Sequence, residues 1–268
     1  MQLQEKTATS QDIPDEQAFP SKAANHPSCK WIEIPNRVPS VCNLSAHWMG
    51  AGLTNRKIIA CEYPRPKNYT EQWRMINQYA SYLIIDLRNE IDQKGINQMD
   101  FKGKNRYPET FYPSSEFELQ LKDKTTVKYT GINGARDCYN IKDVNGVEKH
   151  VERLHYQHWP DGGIIPVYKL DYLVEQCLSP KWQGVIIHCL AGVGRTGTLI
   201  AASILNERIK AGQLTEKDLN FEYVANLVYD LRRQRSKAFV SQPEQFELLF
   251  LYATWLLWLK KPFYAQIT

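Results

Sequence analysis

A chain of 268 residues is long enough to bury a sizeable core, and its seven Trp and fifteen Tyr exclude a largely disordered protein. The net charge of +4 is mildly basic, but the Lys and Arg residues are scattered along the chain, so we expect no nucleic-acid partner. None of the six cysteines stands in a CxxC pair, which argues against a disulfide framework or a cysteine zinc site and predicts a reducing compartment.

Composition separates the two ends of the chain from its middle. Residues 1–27 are polar and aperiodic and are expected to form an N-terminal tail ahead of a single catalytic domain over residues 28–262. The N-terminus lacks the charged and apolar regions of a signal peptide. The most apolar run, Leu248 to Leu259, is too short to span a bilayer comfortably, so we expect a buried final helix and no stable membrane insertion.

Short apolar runs alternate with helical patterns along the domain. Strands are predicted at Lys57–Cys61, Tyr82–Leu87 and 185–188, with several strand-like pieces within 117–158, the last at 151–158. Helices are predicted from the Asn68–Glu71 capping pair onward and over 167–178, 195–210, 216–234 and 242–260. Strands interleaved with helices predict an α/β fold, a single domain with a central twisted mixed sheet flanked by helices.

The segment HCLAGVGRTG (188–197) lies between a predicted buried strand and a predicted helix. Two of its glycines let the backbone curl, so that successive N–H groups point inward and form an anion cradle with the positive end of the helix. Arg195, six positions after Cys189, offers two parallel N–H bonds to phosphate oxygens. The predicted phosphate-binding residues are Cys189, Leu190, Ala191, Gly192, Val193, Gly194 and Arg195.

The same surroundings favour a nucleophilic role for Cys189. A thiol beside a helix N-terminus and a cation ionises readily, and the thiolate is the attacking form. In-line displacement at phosphorus then forms a thiophosphate ester on the enzyme. Three other interpretations are a buried structural cysteine, an ordinary strand–helix turn, and a nucleotide-binding loop, which would need the Gly-Lys-Ser/Thr that is missing here.

HCLAGVGRTG matches the HC-x-AG-x-GR-S/T-G motif of the protein tyrosine phosphatases at every fixed position, and the chain resembles that family from about residue 28 to 260. The resemblance implies a tyrosine-phosphatase-like fold. It also implies that Thr196 hydrogen-bonds the sulfur and helps to expel it during hydrolysis. The resemblance gives His188 a supporting role in orienting the loop. The structural alternative is a histidine at a strand end whose hydrogen bonds serve only the fold.

The stretch HWPDGG (158–163) is the candidate source of the proton that a leaving phenolate needs. Asp161 follows the stiff Trp159–Pro160 pair and precedes two glycines, a pattern typical of a mobile loop, although PDG alone is a common turn sequence. The stretch resembles the family's WPD loop. That resemblance implies that Asp161 is first the general acid and later the base that activates water, with Trp159 in support.

Other positions match the family loosely. Glu90 falls where the family has a carboxylate that holds the catalytic arginine, and Asp92 is a nearby alternative for this role. Either residue could instead be a solvated charge on a loop. Val38, in IPNRVPSV, stands in place of the Tyr that stacks on phosphotyrosine in tyrosine-specific members. The stacking wall is therefore missing or supplied by another residue, which leaves strict phosphotyrosine selectivity open.

The water-positioning site of the family falls within AFVSQPEQF (238–246), where Ser241 stands in place of the first Gln. Gln242 and Gln245 are the two candidates for that role. Ser241 and Glu244 also have the spacing of a capping box, which gives Ser241 a purely structural alternative.

The expected function is hydrolysis of phosphotyrosine in a protein substrate through a cysteinyl-phosphate intermediate. The first alternative is a dual-specificity or phosphoinositide phosphatase on the same scaffold. It is disfavoured because lipid-acting relatives have Lys in a loop that here holds Leu190 and Val193, and because dual-specificity relatives often lack Trp-Pro-Asp. The second alternative is a phosphopeptide-binding pseudophosphatase, although the Cys, Arg and Asp are all present.

No metal or cofactor is expected, because Arg195 and the loop amides are enough to neutralise a bound phosphate. A reduced cysteine predicts a cytoplasmic enzyme. The cytoplasm is that of its own cell, or that of a host cell if the protein comes from a virus or is a secreted bacterial effector.

Overall fold

A computed structural model describes residues 45–79, 81–89, 111–113 and 118–259 of the chain; the predicted tail, residues 1–27, and the boundary that follows it lie outside these ranges. Within them the chain forms one eight-stranded mixed sheet and five α-helices. The strands are β1 (Ala46–Met49), β2 (Lys57–Cys61), β3 (Tyr82–Asp86), β4 (Leu119–Gln120), β5 (Thr126–Asn133), β6 (Arg136–Lys142), β7 (Glu148–His155) and β8 (Gly184–His188). The helices are α1 (Tyr69–Gln78), α2 (Val167–Leu178), α3 (Gly194–Lys210), α4 (Phe221–Gln234) and α5 (Pro243–Leu259).

The sheet has the strand order β1-β2-β8-β3-β7-β6-β5-β4. Its centre, β2-β8-β3-β7, is parallel, whereas β1 and the β7-β6-β5-β4 meander pair antiparallel with their neighbours. The α/β fold with a mixed sheet is therefore confirmed. Sequence patterns did not predict β1, and the structure adds it at the sheet edge.

The parallel strands β3 and β8 are buried at every position, as expected of continuous apolar runs covered on both faces. Because these strands are parallel, their carboxyl ends meet at one edge of the sheet. The register places Cys61, His188, Asp86 and His155 side by side there. The loops that follow β7 and β8 therefore leave the same edge of the sheet, with β3 between them.

Two cores lie on the two faces of the sheet, because side chains on a strand alternate between faces. On β8, Val185 and Ile187 join one core and Ile186 joins the other. The first core packs the sheet against α2, α3, α4 and α5. The second packs it against α1 and the 111–112 segment.

One predicted helix start and one predicted helix cap are wrong. The helix expected from 216 begins at Phe221, because the Asn220 side chain accepts a hydrogen bond from Tyr223 N and so caps it there. The predicted capping pair of α1 does not form, since the Asn68 side chain makes no capping hydrogen bond and a 3-10 turn over Pro66–Asn68 leads into the helix.

The final helix α5 buries only part of its surface. Leu248, Leu249 and Tyr252 lie in the core, but Leu251 and Trp258 are exposed, so the apolar run is less buried than the sequence predicts. Among the helices that the described residues form, none combines the length and the apolar character that a bilayer crossing requires.

Candidate active site

The loop Cys189–Val193 joins β8 to α3 and wraps around the Cys189 sulfur. Cys189 is buried, and its Sγ accepts a hydrogen bond from the Gly192 backbone N–H at 3.2 Å. Gly192 has a φ of +68°, and a Cβ added there would lie 2.1 Å from the Cys61 carbonyl oxygen. Only glycine satisfies both the left-handed backbone and this close approach to β2.

A buried arginine that sequence reasoning missed, Arg235, holds this loop from outside. Its Nε donates to the Gly192 carbonyl at 2.7 Å, and its Nη1 donates to the carbonyl oxygens of Ala60 at 3.1 Å and Ser45 at 3.3 Å. The loop is thereby tied to β2 and to Ser45, which directly precedes β1. Arg235 directly follows α4 in an unremarkable RRQRS stretch, and nothing in its neighbours marks it.

Arg195, in the first turn of α3, joins three segments around the cradle. Its Nη1 donates to the carbonyl oxygens of Leu87 at 3.0 Å and Trp159 at 3.2 Å. Its Nη2 donates to Asp161 Oδ1 at 2.9 Å. The guanidinium therefore lies between the cysteine loop and the loop of Asp161, where a planar fork of donors suits an oxyanion.

The Asp161 loop follows β7 and is anchored by Trp159. The Trp159 ring is buried, and its Nε1 donates to the Gly163 carbonyl at 3.0 Å across the turn. The Asp161 side chain is 67% exposed, although its Arg195 partner is only 1% exposed. The carboxyl group thus sits at the mouth of the site, where it can meet both a substrate oxygen and solvent water.

Both candidate glutamines lie beside the Asp161 loop, in different settings. Gln245 is buried, and its Nε2 donates to the Gly163 carbonyl at 3.2 Å. Its side-chain oxygen lies 3.2 Å from the position of a Cβ on Gly194. Gln242 is exposed, with its side chain about 4 Å from a Cβ position on Gly162. Gln245 is therefore nearer to the cysteine loop.

Ser241 does not act as the predicted helix cap. The α5 helix begins at Pro243, and the Ser241 hydroxyl donates to Gln245 Oε1 at 3.5 Å. Ser241 Oγ also lies 2.7 Å from a Cβ position on Gly194, so it borders the cysteine loop. Its neighbour Val240 has a φ of +56°, an unfavourable value for a β-branched residue.

His188 is fully buried at the end of β8 and has a partner on each ring nitrogen. Its Nδ1 lies 3.3 Å from the Cys189 carbonyl, which only accepts, so Nδ1 carries the proton and Nε2 accepts from the Tyr112 hydroxyl at 2.8 Å. Burial lowers the pKa of His188 to about 4, so the ring is neutral at neutral pH. Tyr112 is a second residue that sequence reasoning missed.

The remaining predicted residues fall into two groups. The side chains of Leu190 and Ala191 are half-buried, Val193 is buried, and the buried Thr196 hydroxyl makes no hydrogen bond within the described residues. The expected hydrogen bond from Thr196 to the Cys189 sulfur is therefore not made in this structure, and the role of Thr196 in expelling the sulfur stays a prediction. Val38, Glu90 and Asp92 lie outside the described residues.

The architecture matches solved structures of tyrosine phosphatases. The Trypanosoma brucei protein tyrosine phosphatase TbPTP1 superposes with a TM-score of 0.68 at 20% sequence identity, covering 92% of this chain and 87% of that chain. The chain therefore has the fold of the tyrosine phosphatase class of proteins.

The sequence comparisons agree with the fold. Tyrosine-protein phosphatase 3 of Dictyostelium discoideum is 28% identical over 220 residues, which are 77% of this chain and 21% of that protein. The human phosphatidylinositol phosphatase PTPRQ is 25% identical over 244 residues, 87% of this chain and 10% of that protein. This chain spans about a fifth or less of the length of these relatives. Residues 39–256 match the protein-tyrosine phosphatase family model, and the chain belongs to this family of hydrolases.

Proposed function

We propose that this chain hydrolyses phosphotyrosine in protein substrates through a cysteinyl-phosphate intermediate. The observation that carries the proposal is the meeting of three groups at one edge of the sheet. These are the Cys189 sulfur inside its loop, the Arg195 guanidinium from the first turn of the helix that follows this loop, and the Asp161 carboxyl group 2.9 Å from Arg195. A thiol, a cationic clamp and a carboxyl group are the parts that a metal-free phosphoryl transfer needs.

In the first step the phosphate occupies the cradle of backbone N–H groups from Leu190 to Gly194 and binds the Arg195 fork. The Cys189 thiolate attacks phosphorus in line with the phenolic oxygen, so that a sulfur–phosphorus bond forms as the phosphorus–oxygen bond breaks. Asp161, in its acid form, gives its proton to the departing phenolate and becomes a carboxylate. Trp159 supports this step by holding the loop that carries Asp161.

In the second step a water molecule attacks the cysteinyl-phosphate. The Asp161 carboxylate takes a proton from this water, the sulfur–phosphorus bond breaks, and inorganic phosphate and the thiolate are released. We assign the orientation of this water to Gln245 rather than Gln242, because the Gln245 amide lies beside Gly194, the residue that follows the cysteine loop. The Thr196 hydroxyl, which has no hydrogen-bond partner among the described residues, is available to stabilise the departing sulfur.

A phosphoinositide phosphatase is the second candidate, favoured by one observation, the similarity to the human phosphatidylinositol phosphatase. Extra phosphates on an inositol ring require additional cations near the cradle. The two variable loop positions hold Leu190 and Val193 instead of Lys, and this favours a phosphotyrosine substrate.

A three-substrate comparison tests the proposal. We expect the full chain to hydrolyse a phosphotyrosine peptide faster than a phosphoserine peptide or a phosphoinositide in mixed micelles, and Cys189→Ser to abolish turnover of each. Faster hydrolysis of the phosphoinositide would transfer the proposal to the lipid. Unchanged turnover by Cys189→Ser would disprove the mechanism, and Cys177→Ser is the control for a buried thiol outside the site. We further propose a cytoplasmic location, where the reducing environment keeps Cys189 as a free thiol.

A further inference from the structure

Asp86 is a fully buried carboxylate at the end of β3, with 0% of its surface exposed. The strand that carries it is otherwise apolar, and it lies between β7 and β8. The β8 strand leads into the cysteine loop, and β7 leads into the Asp161 loop. Asp86 therefore stands between the two strands whose ends carry the proposed chemistry.

Two arginines compensate the buried charge. Arg88 donates to both Asp86 oxygens, from Nε to Oδ1 at 3.0 Å and from Nη2 to Oδ2 at 2.7 Å. Arg153 donates from Nη1 to Oδ2 at 3.4 Å, and it also binds Asp137. Burial raises the pKa of the Asp86 carboxyl, but Arg88, His188 and Arg153 together hold it well below its usual value.

The arginines are packed as tightly as the carboxylate. The Arg88 guanidinium lies over the Tyr63 ring at 3.6 Å, and the Arg153 guanidinium lies over the Tyr112 ring at 4.0 Å. Tyr112 in turn donates its hydroxyl to His188. The cluster therefore reaches the residue just before Cys189 through aromatic contacts as well as through charge.

Stability alone does not account for such a cluster. Burying a carboxylate and two guanidinium groups costs desolvation energy, and well-packed apolar residues of similar size are often as stabilising or more so. An ionic cluster inside an apolar sheet breaks the local pattern, and departures of this kind concentrate at functional sites. We therefore expect the charges of this cluster to position the elements that they contact.

The Asp86 side chain faces both loop-bearing strands. Its Oδ1 lies 3.6 Å from His188 Nδ1 on β8, and its Oδ2 lies 3.8 Å from His155 Nε2 on β7. His188 and His155 are also its register partners on the two sides. One carboxylate thus contacts the last residue of each strand.

The backbone around Asp86 completes these links. The Asp86 carbonyl accepts from Tyr156 N at 2.8 Å, just after β7, and Leu87 N donates to the His188 carbonyl at 2.8 Å. The Leu87 carbonyl accepts from Arg195. A shift of Asp86 would therefore move the stem of the Asp161 loop, the stem of the cysteine loop and an anchor of Arg195 together.

We propose that Asp86 is a positioning residue that fixes the Asp161 loop relative to the cysteine loop through His155, His188, Arg88 and Arg153. This inference rests on the proposed phosphatase function. Asp86 does not touch the substrate. It sets the distance and angle at which Asp161 meets the leaving-group oxygen above Cys189, and small misplacements of such groups reduce rates by as much as about 100-fold.

The test compares Asp86→Asn with Asp137→Asn in the full chain. Asp137 binds the same Arg153 but lies on β6, which leads into neither loop. The substrates are phenyl phosphate, whose leaving group needs protonation, and 4-nitrophenyl phosphate, whose leaving group needs it less. We expect Asp86→Asn to lower kcat for phenyl phosphate by more than about tenfold and for 4-nitrophenyl phosphate clearly less, with Asp137→Asn close to wild type.

Equal losses on both substrates, or equal effects of the two variants, would overturn the positioning role, because a merely structural defect lowers both rates in proportion to the folded fraction. An inactive wild-type chain would overturn the proposed function and the positioning role together. An active wild-type chain with equal losses on both substrates would overturn the positioning role alone. Arg88→Lys, which keeps the charge but loses the two-pronged hydrogen bond, covers the case in which Asp86→Asn does not fold. It should show the same substrate-dependent loss to a smaller extent, and equal loss on both substrates would overturn the proposal.

Discussion

Arg195 and Asp161 form an ion pair with 2.9 Å between Nη2 and Oδ1, although the arginine side chain is 1% exposed and the carboxylate is 67% exposed. A bound phosphate needs the same donor on Arg195 that Asp161 holds. Asp161 thus partly compensates the buried Arg195 cation, and a substrate phosphate would compete with Asp161 for this donor. The proposed acid and the proposed clamp are therefore coupled before any chemistry occurs.

Replacing Asp161 with Ala should separate catalysis from binding. We expect kcat for phenyl phosphate to fall by about 10²–10⁴-fold, because the phenolate leaves without a proton donor. Inorganic phosphate should inhibit the variant at lower concentration than wild type, because Arg195 loses a competing carboxylate. Steady-state kinetics with phosphate as inhibitor measures both effects. Asp161→Asn, which keeps the size, should lose kcat equally, and a wild-type kcat in either variant would contradict the general-acid role.

Gln245→Ala should slow the second chemical step. The Gln245 amide lies beside the cysteine loop and braces Gly163, so its loss leaves the attacking water without a guide. We expect kcat for 4-nitrophenyl phosphate to fall about tenfold, with a burst of nitrophenol as the cysteinyl-phosphate accumulates. Rapid mixing measures the burst. Gln242→Ala is the matched control, and a larger burst in that variant would assign the water to Gln242.

Arg235→Met should weaken both the fold and the site. The substitution leaves the buried carbonyl groups of Gly192 and Ala60 without this donor, so we expect the free energy of unfolding to drop by about 2–4 kcal/mol. Activity per folded molecule should also fall, because the cysteine loop loses its outer anchor. Urea titration and kinetics measure the two effects. The exposed neighbour Arg233→Met should change stability by less than about 0.5 kcal/mol, and equal effects at both positions would refute the anchoring role.

Acid should destabilise the fold through His188. Burial lowers its pKa from 6.5 to about 4, so the unfolded chain takes up a proton at higher pH than the folded chain does. The free energy of unfolding therefore falls as pH decreases from 6.5 towards 4, by roughly 3 kcal/mol at about 1.4 kcal/mol per pKa unit. His155, whose pKa is also lowered by burial, adds a loss of the same sign.

Urea denaturation at several pH values tests this dependence. His188→Asn removes the titrating ring, and its stability should vary less with pH over the same window. An identical pH slope in wild type and variant would show that other groups control acid unfolding.

Local patterns predicted the strands and loops that carry the proposed chemistry. The buried strands β2, β3 and β8 are continuous apolar runs, and the cysteine loop combines glycines, a thiol and an arginine within ten residues. Such features depend on neighbours in sequence, so one chain is enough to find them. The predicted start of α4 was wrong because the helical pattern from residue 216 onward does not reveal that Asn220 caps the helix.

Long-range contacts were not predictable in the same way. Arg235 meets Gly192 across 43 residues, and Tyr112 meets His188 across 76. The sequence analysis did not single out Asp86, because its partners Arg88 and Arg153 come together only when β3 and β7 pair. The sequence shows such residues but not the strand order that brings them together.

The crowding at Gly192 offers a way to judge variants of this chain. Any side chain there would meet the Cys61 carbonyl and force the loop away from the sulfur. A duplicated or inherited copy with a larger residue at this position would keep its Cys, Arg and Asp and yet have a misshapen cradle. A survey that assigns phosphatase activity only from the presence of the Cys, Arg and Asp residues would classify such copies as active.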